Sequence, residues 1–148
     1  MMKKITVIVL LILIAELAMA DSKEVVGSET EKSSQNNIYH DYIVQTKKLI
    51  DKKFPGYFKE LTKGEQLQWI DYVGRQGAKF GYDNISLRQG YTIIACYLGK
   101  DFMTDQGVDK NIKRFLQDER FSKYVRIRDM QRYLEKKNYK LNKPSIVE

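Results

Sequence analysis

Asp101, Asp105 and Asp109 recur at every fourth position in "LGKDFMTDQGVDKN", residues 98–111, directly after Gly99. Oxygen ligands at that density could serve a hard cation. A calcium loop of the EF-hand kind, however, sets its ligands at alternate positions and closes on a glutamate. Here the spacing is four, and Phe102 and Met103 stand where further ligands would fall. The three carboxylates would share a face only on one continuous helix, which Gly99 and Gly107 oppose. Helix punctuation explains the same residues. Gly99 ends one helix, Phe102 swings back as an apolar anchor, and Thr104 or Asp105 caps the next helix. Asp109 then lies in the first turn, where the dipole favours negative charge. No metal or cofactor is expected.

Other constellations are poorer. Glu65 and Asp71 would sit six residues apart on one helix, and Glu65 has a capping role, so they do not form the carboxylate pair of a glycosidase. "GKD" at 99–101 lacks the glycine loop and the Ser or Thr of a phosphate-binding motif. A catalytic thiol needs a neighbouring base, yet the single cysteine, Cys96, lies in the apolar stretch "YTIIACYL", far in sequence from the single histidine, His40. Cys96 is expected to be a core thiol. No catalytic residue is assigned.

The elements that must carry these residues read as helices. Ile38, Tyr42, Ile43, Leu49, Ile50 and Phe54 fall largely on one helical stripe beginning near Asn37, and "FPG" at 54–56 stops it. "TKGE" at 62–65 has capping-box form and starts a second helix with Leu67, Ile70, Val73 and Phe80 at helical spacing and Trp69 and Tyr72 widening its apolar side. Gly81 ends that helix as a left-handed residue. Gly74 and Gly77 within it cost about 1 kcal/mol each relative to alanine, which points to close approach of another helix or to local irregularity. Asp83 or Asn84 caps a third, apolar helix that runs to Gly99. The β-branched "TII" would also suit a strand, but length and flanking signals favour helix. A fourth carries Val108, Ile112, Phe115 and Leu116; Ser122 caps a fifth with Tyr124, Ile127, Met130 and Leu134 inward. The expectation is an all-α, compact bundle of about five helices, residues 37–140, followed by a tail at 141–148.

What precedes the bundle sets the compartment. "MMKK", the apolar run "ITVIVLLILIAEL" and "AMA" make residues 1–20 an expected signal peptide, cleaved before Asp21, with an uncleaved anchor as the alternative. Residues 21–36, "DSKEVVGSETEKSSQN", are expected to be a flexible polar leader. The mature chain is then periplasmic or secreted and not an integral membrane protein. Losing Lys3, Lys4 and Glu16 lowers the net charge from +7 to +6. In that compartment a basic balance either serves solubility alone or suits an acidic protein, anionic lipid or wall polymer rather than nucleic acid.

Two surface features stand out. Arg128, Arg132 and Lys136 follow i, i+4, i+8 spacing and form a basic stripe, to which Lys123, Arg126 and Lys137 add charge; such a run is either an ordinary solvated helix face or a contact surface. Ten tyrosines supply contact area for interfaces as well as core.

One order of segments is familiar. "KFGYDNIS" (79–86) precedes an apolar helix and "LGKDF" (98–102); "FLQDERFS" (115–122) and a terminal helix opening "KYVRIRDM" follow. Over roughly residues 66–137 this resembles small helical proteins found with bacterial type VI secretion and related toxin systems. The resemblance implies either a cognate immunity protein that binds and blocks a toxin or an accessory protein for effector loading. The expected export signal departs from a cytoplasmic accessory role. The reading that follows is an exported immunity protein acting by occlusion of a protein partner, an acidic secreted effector. Its contacts would be Arg128, Arg132 and Lys136 or the segment of Asp101, Phe102 and Asp105. The alternatives are a small envelope hydrolase and an envelope adaptor.

Overall fold

A computed structural model describes residues 39–148. The expected signal peptide (1–20), the polar leader (21–36) and the predicted helix start at Asn37 lie outside the described residues. Within them the chain forms five helices and no strand: α1 (39–53), α2 (Lys63–Lys79), α3 (Ile85–Leu98), α4 (Lys110–Leu116) and α5 (Lys123–Lys136). The fold is an all-α bundle. None of the described helices is long and apolar enough to cross a membrane.

Local chemistry sets most of these boundaries. Pro55 and Gly56 (φ +80°) form the centre of a turn closed by the Tyr57 amide on the Phe54 carbonyl at 3.0 Å. Such a turn needs a positive φ at its third residue, which glycine tolerates. Thr62 and Glu65 make the expected capping box at the start of α2. At the other end Gly81 (φ +81°) lets its own amide reach the Ala78 carbonyl and the Tyr82 amide reach Gly77, both at 2.9 Å. This pair of bonds is a Schellman ending, and it fixes where Tyr82 enters the bundle. Asn84 and Ser122 cap α3 and α5 through their side chains.

α3 is the central helix, with Leu87, Gly90–Cys96 and Leu98 buried. Its neighbours come close only because glycines face them. The Tyr42 hydroxyl of α1 lies 2.5 Å from where a Gly74 Cβ would stand, and it donates to the Ile70 carbonyl at 3.1 Å. It also lies in hydrogen-bond contact with the Thr92 hydroxyl at 2.9 Å, so three helices meet on one buried polar contact. On the other side of α3, a Cβ on Gly90 would overlap the Cγ2 of Ile127. The expectation of close packing at Gly74 and Gly77 holds; Gly90, hidden in an apolar run, was not anticipated. Phe54, Tyr57, Phe58 and Trp69 form an aromatic cluster with centroid separations of 4.9–6.3 Å. Cys96 is fully buried beside it, and desolvation pushes its thiol up to about 12. It is the expected core thiol.

Several predicted orientations are corrected. Leu49, Leu67 and Tyr124 face solvent, Tyr124 being 58% exposed, because the buried stripes are narrower than the sequence pattern suggests. Val108 precedes α4, and the helix is capped by Asp109 rather than by Thr104 or Asp105. The cause is a separate turn over 101–104 that uses up the chain between the two helices. The segment predicted as a tail is non-helical but tied down. Its Asn142 amide donates to the Cys96 carbonyl at 2.8 Å, and Lys100 Nζ donates to the Ile146 carbonyl at 2.7 Å. It is a strap across the end of α3.

The glycines give a direct check. Gly64 has open space around it, so Gly64→Ala should stabilise the fold by about 0.5 kcal/mol through the unfolded state. Gly90→Ala gains about 1 kcal/mol of helix propensity but must displace a stiff, buried β-branched side chain. Overpacking costs about 1–3 kcal/mol, so a net loss is expected in urea denaturation. Stabilisation by both substitutions would contradict the α3–α5 contact.

Candidate binding face on helices 4 and 5

α4 has only seven residues, too few to stand alone in water. Its position is set from both ends. The Asp109 carboxylate accepts from the Asn111 amide at 2.8 Å, and Lys113 Nζ donates back to the Asp105 carbonyl at 2.8 Å. At the far end the Leu116 carbonyl accepts from the Tyr82 hydroxyl at 2.5 Å and from Arg126 Nη1 at 2.6 Å. A cation at a helix C-terminus is favoured by the dipole as well as by the bond. Arg126 is 8% exposed and its guanidinium lies 5.8 Å from the centre of the Tyr82 ring. Tyr82 stacks in turn on Tyr91, and Tyr91 on Phe102, at 5.5 and 4.7 Å.

Between α4 and α5 this leaves a groove of about 380 Å³. Ile112 and Met130 make its buried floor, Phe115 and Tyr133 its walls, and Asp109, Asn111 and Asp129 its rim. Aromatics continue beyond each wall: Phe115 packs on Phe121 at 6.0 Å, and Tyr133 on Tyr139 at 6.1 Å. Phe121 and Tyr133 are both more than two-fifths exposed. A wider hollow of about 840 Å³ lies elsewhere along α4, but its lining is charged except for Met103 and Gln117. There Arg120 holds the Asp118 carboxyl down at about 2 by hydrogen bonding. Apolar floor with aromatic walls is the arrangement that gains free energy when a partner expels water, so the smaller groove is the better contact.

The predicted contact residues separate into two groups. Arg128, Arg132 and Lys136 are exposed on α5, next to the Asp129 and Tyr133 edge of the groove in sequence. Arg128 Nε donates to Asp129 at 2.8 Å, and that bond, with Arg132 nearby, holds the Asp129 carboxyl below its ordinary value. Part of the stripe's charge is therefore answered within the chain. Arg126, counted with the stripe in sequence, is corrected to a buried clamp, because it occupies the α4 side of α5. The aspartate segment is occupied with structure. Asp101 accepts from the Tyr72 hydroxyl, which raises the Tyr72 pKa. Asp105 accepts from the Gly107 amide at 2.8 Å. Phe102 is fully buried, so its place as an apolar anchor holds and its place in a docking surface does not. Among the described residues, no hydrogen bond or ion pair joins Asp101 or Asp105 to the stripe.

The groove itself was missed in sequence. Phe115 and Tyr133 were visible as aromatics, but only the α4–α5 pairing turns them toward each other. Comparison with protein-family models, with curated proteins and with solved structures finds no match.

Removing the clamp should loosen this face first. Arg126→Ala deletes a charged hydrogen bond and its packing, and should cost about 2–3 kcal/mol in thermal or urea unfolding. Tyr82→Phe should cost about 1 kcal/mol. In both variants, amide exchange should speed up most in 110–116. Uniform acceleration across α2 and α3 would contradict a local role.

Proposed function

We propose that this chain is an exported binding protein that neutralises a toxin or effector by covering it, as an immunity protein does. The carrying observation is the α4–α5 groove, an apolar floor between Phe115 and Tyr133 inside a charged rim. Half-exposed tyrosine beside arginine is the usual make-up of an interface centre, since both bring large contact area and directional bonds. Arg128, Arg132 and Lys136 would then steer an acidic partner toward the groove, giving on-rate and orientation more than affinity. Occlusion needs no reacting group of its own. The export expectation supports a target that acts outside the cytoplasm, and the likeness to type VI-associated proteins supports a toxin as that target.

The test is capture from an envelope fraction by the tagged chain from Asp21 onward, followed by affinity measurement on the purified complex. One stoichiometric enzyme whose activity falls on binding is the expected result. Tyr133→Ala should weaken the complex about thirtyfold, equivalent to a hot spot of about 2 kcal/mol. Arg128→Glu with Arg132→Glu should weaken it at low salt, with the difference shrinking as salt rises. An unchanged affinity in all these variants would place the interface elsewhere, and recovery of wall polymer alone would end the immunity reading.

A further inference from the structure

α1, α3 and α5 all end at one pole of the bundle. The Phe54 and Tyr97 rings meet there edge to face at 5.4 Å, and Lys53 Nζ donates to Glu135 at 2.6 Å. The 54–61 turn into α2 and the C-terminal strap complete the pole, tied by Lys143 to Glu60 at 3.4 Å. Every cation at this pole is a lysine, although the described chain carries arginines elsewhere.

All of the pole's acids but Glu148 on the strap are already engaged, Asp51 by Lys47. Glu135 and Glu60 pair with lysines, and Glu65 closes the Thr62 cap. Asp101 lies under Tyr72, whose ring Lys100 covers at 5.5 Å. That leaves Lys52, Lys59, Lys63, Lys136, Lys137 and Lys140 without an ion-pair partner among the described residues. Three helix C-termini bring roughly half a negative charge each, and with Glu148 they answer two or three of these lysines and not six. Lysine is a compact, hydrated point charge without the fork that grips a single phosphate, so a dense lysine field suits a diffuse anionic surface. Two apolar side chains stand among them on the strap: Leu141 is 42% exposed and Ile146 56%. Their backbone is held in place by the Asn142 and Ile146 bonds to the end of α3.

We propose that this pole docks on an anionic lipid surface. The lysines face the headgroups, and Leu141 and Ile146 enter the headgroup–acyl boundary. A soluble acidic polymer would satisfy the charge but offers no apolar phase for those two side chains. The inference does not rest on the toxin reading: the residues that line the groove are not among those named at the pole, and only Lys136 is common to the pole and the α5 stripe.

The test is co-sedimentation of the chain from Asp21 onward, which contains the whole unit Tyr39–Glu148, with phosphatidylcholine vesicles with or without phosphatidylglycerol. Circular dichroism confirms that each protein is folded. Binding only to the anionic vesicles, reversed by salt, is expected. Lys137→Glu with Lys140→Glu should reduce it about thirtyfold or more. Leu141→Ser with Ile146→Ser should weaken vesicle binding while leaving retention on polyglutamate unchanged. No binding to anionic vesicles, or binding that ignores either pair of substitutions, would overturn the proposal.

Discussion

The Leu116 carbonyl is the point on which the candidate face depends. It takes one hydrogen bond from Tyr82, which follows the glycine ending of α2, and one from Arg126 on α5. A helix of seven residues gains too little from its own ladder to persist, so these two donors, with Ile112 and Leu116 in the core, hold it against α5. The clamp is itself braced from within by the ring sequence Arg126, Tyr82, Tyr91, Phe102. A buried guanidinium is costly unless bonded, and the gain here is position: α4 and α5 are kept at the spacing that opens the groove.

What the sequence shows, it shows where the physics is local. Thr62 with Glu65, Ser122 and Gly81 announce helix ends because a cap or a left-handed residue is satisfied within a few residues. Gly74 and Gly77 announce close packing through the propensity they sacrifice. Failures occur where a distant element decides. Arg126 looks like one more charge on a basic helix until Leu116 is placed beside it. Asp109 becomes a cap, and Asp105 a turn residue, only because the chain spends 101–104 on a separate turn. The strap has no periodicity to read, since its bonds run to Cys96 and Lys100 at the end of α3. The groove was illegible for the same reason: spacing along α4 or α5 cannot say which faces meet.

The molecule therefore separates two kinds of surface. On the flank, aromatics wall an apolar cleft rimmed by Asp109, Asn111 and Asp129, and Arg128 and Arg132 adjoin that rim along α5, a combination suited to one shaped partner. At the pole, lysines without arginines surround two exposed aliphatic side chains, a combination suited to an extended charged boundary. Arginine where geometry matters and lysine where only charge matters follows from the different hydration and donor geometry of the two side chains. α5 contributes to both, its middle to the flank and its end to the pole.

The claim that the flank is the binding face is tested most directly by a photo-crosslinking amino acid placed at Tyr133 and, separately, at Leu67 on α2. Both positions are exposed to a similar extent, 41% and 42%, so reactivity differences report contact rather than access. Irradiation of cells should give one discrete adduct from position 133 and none from position 67. The same adduct from both positions, or from position 67 alone, would contradict the account.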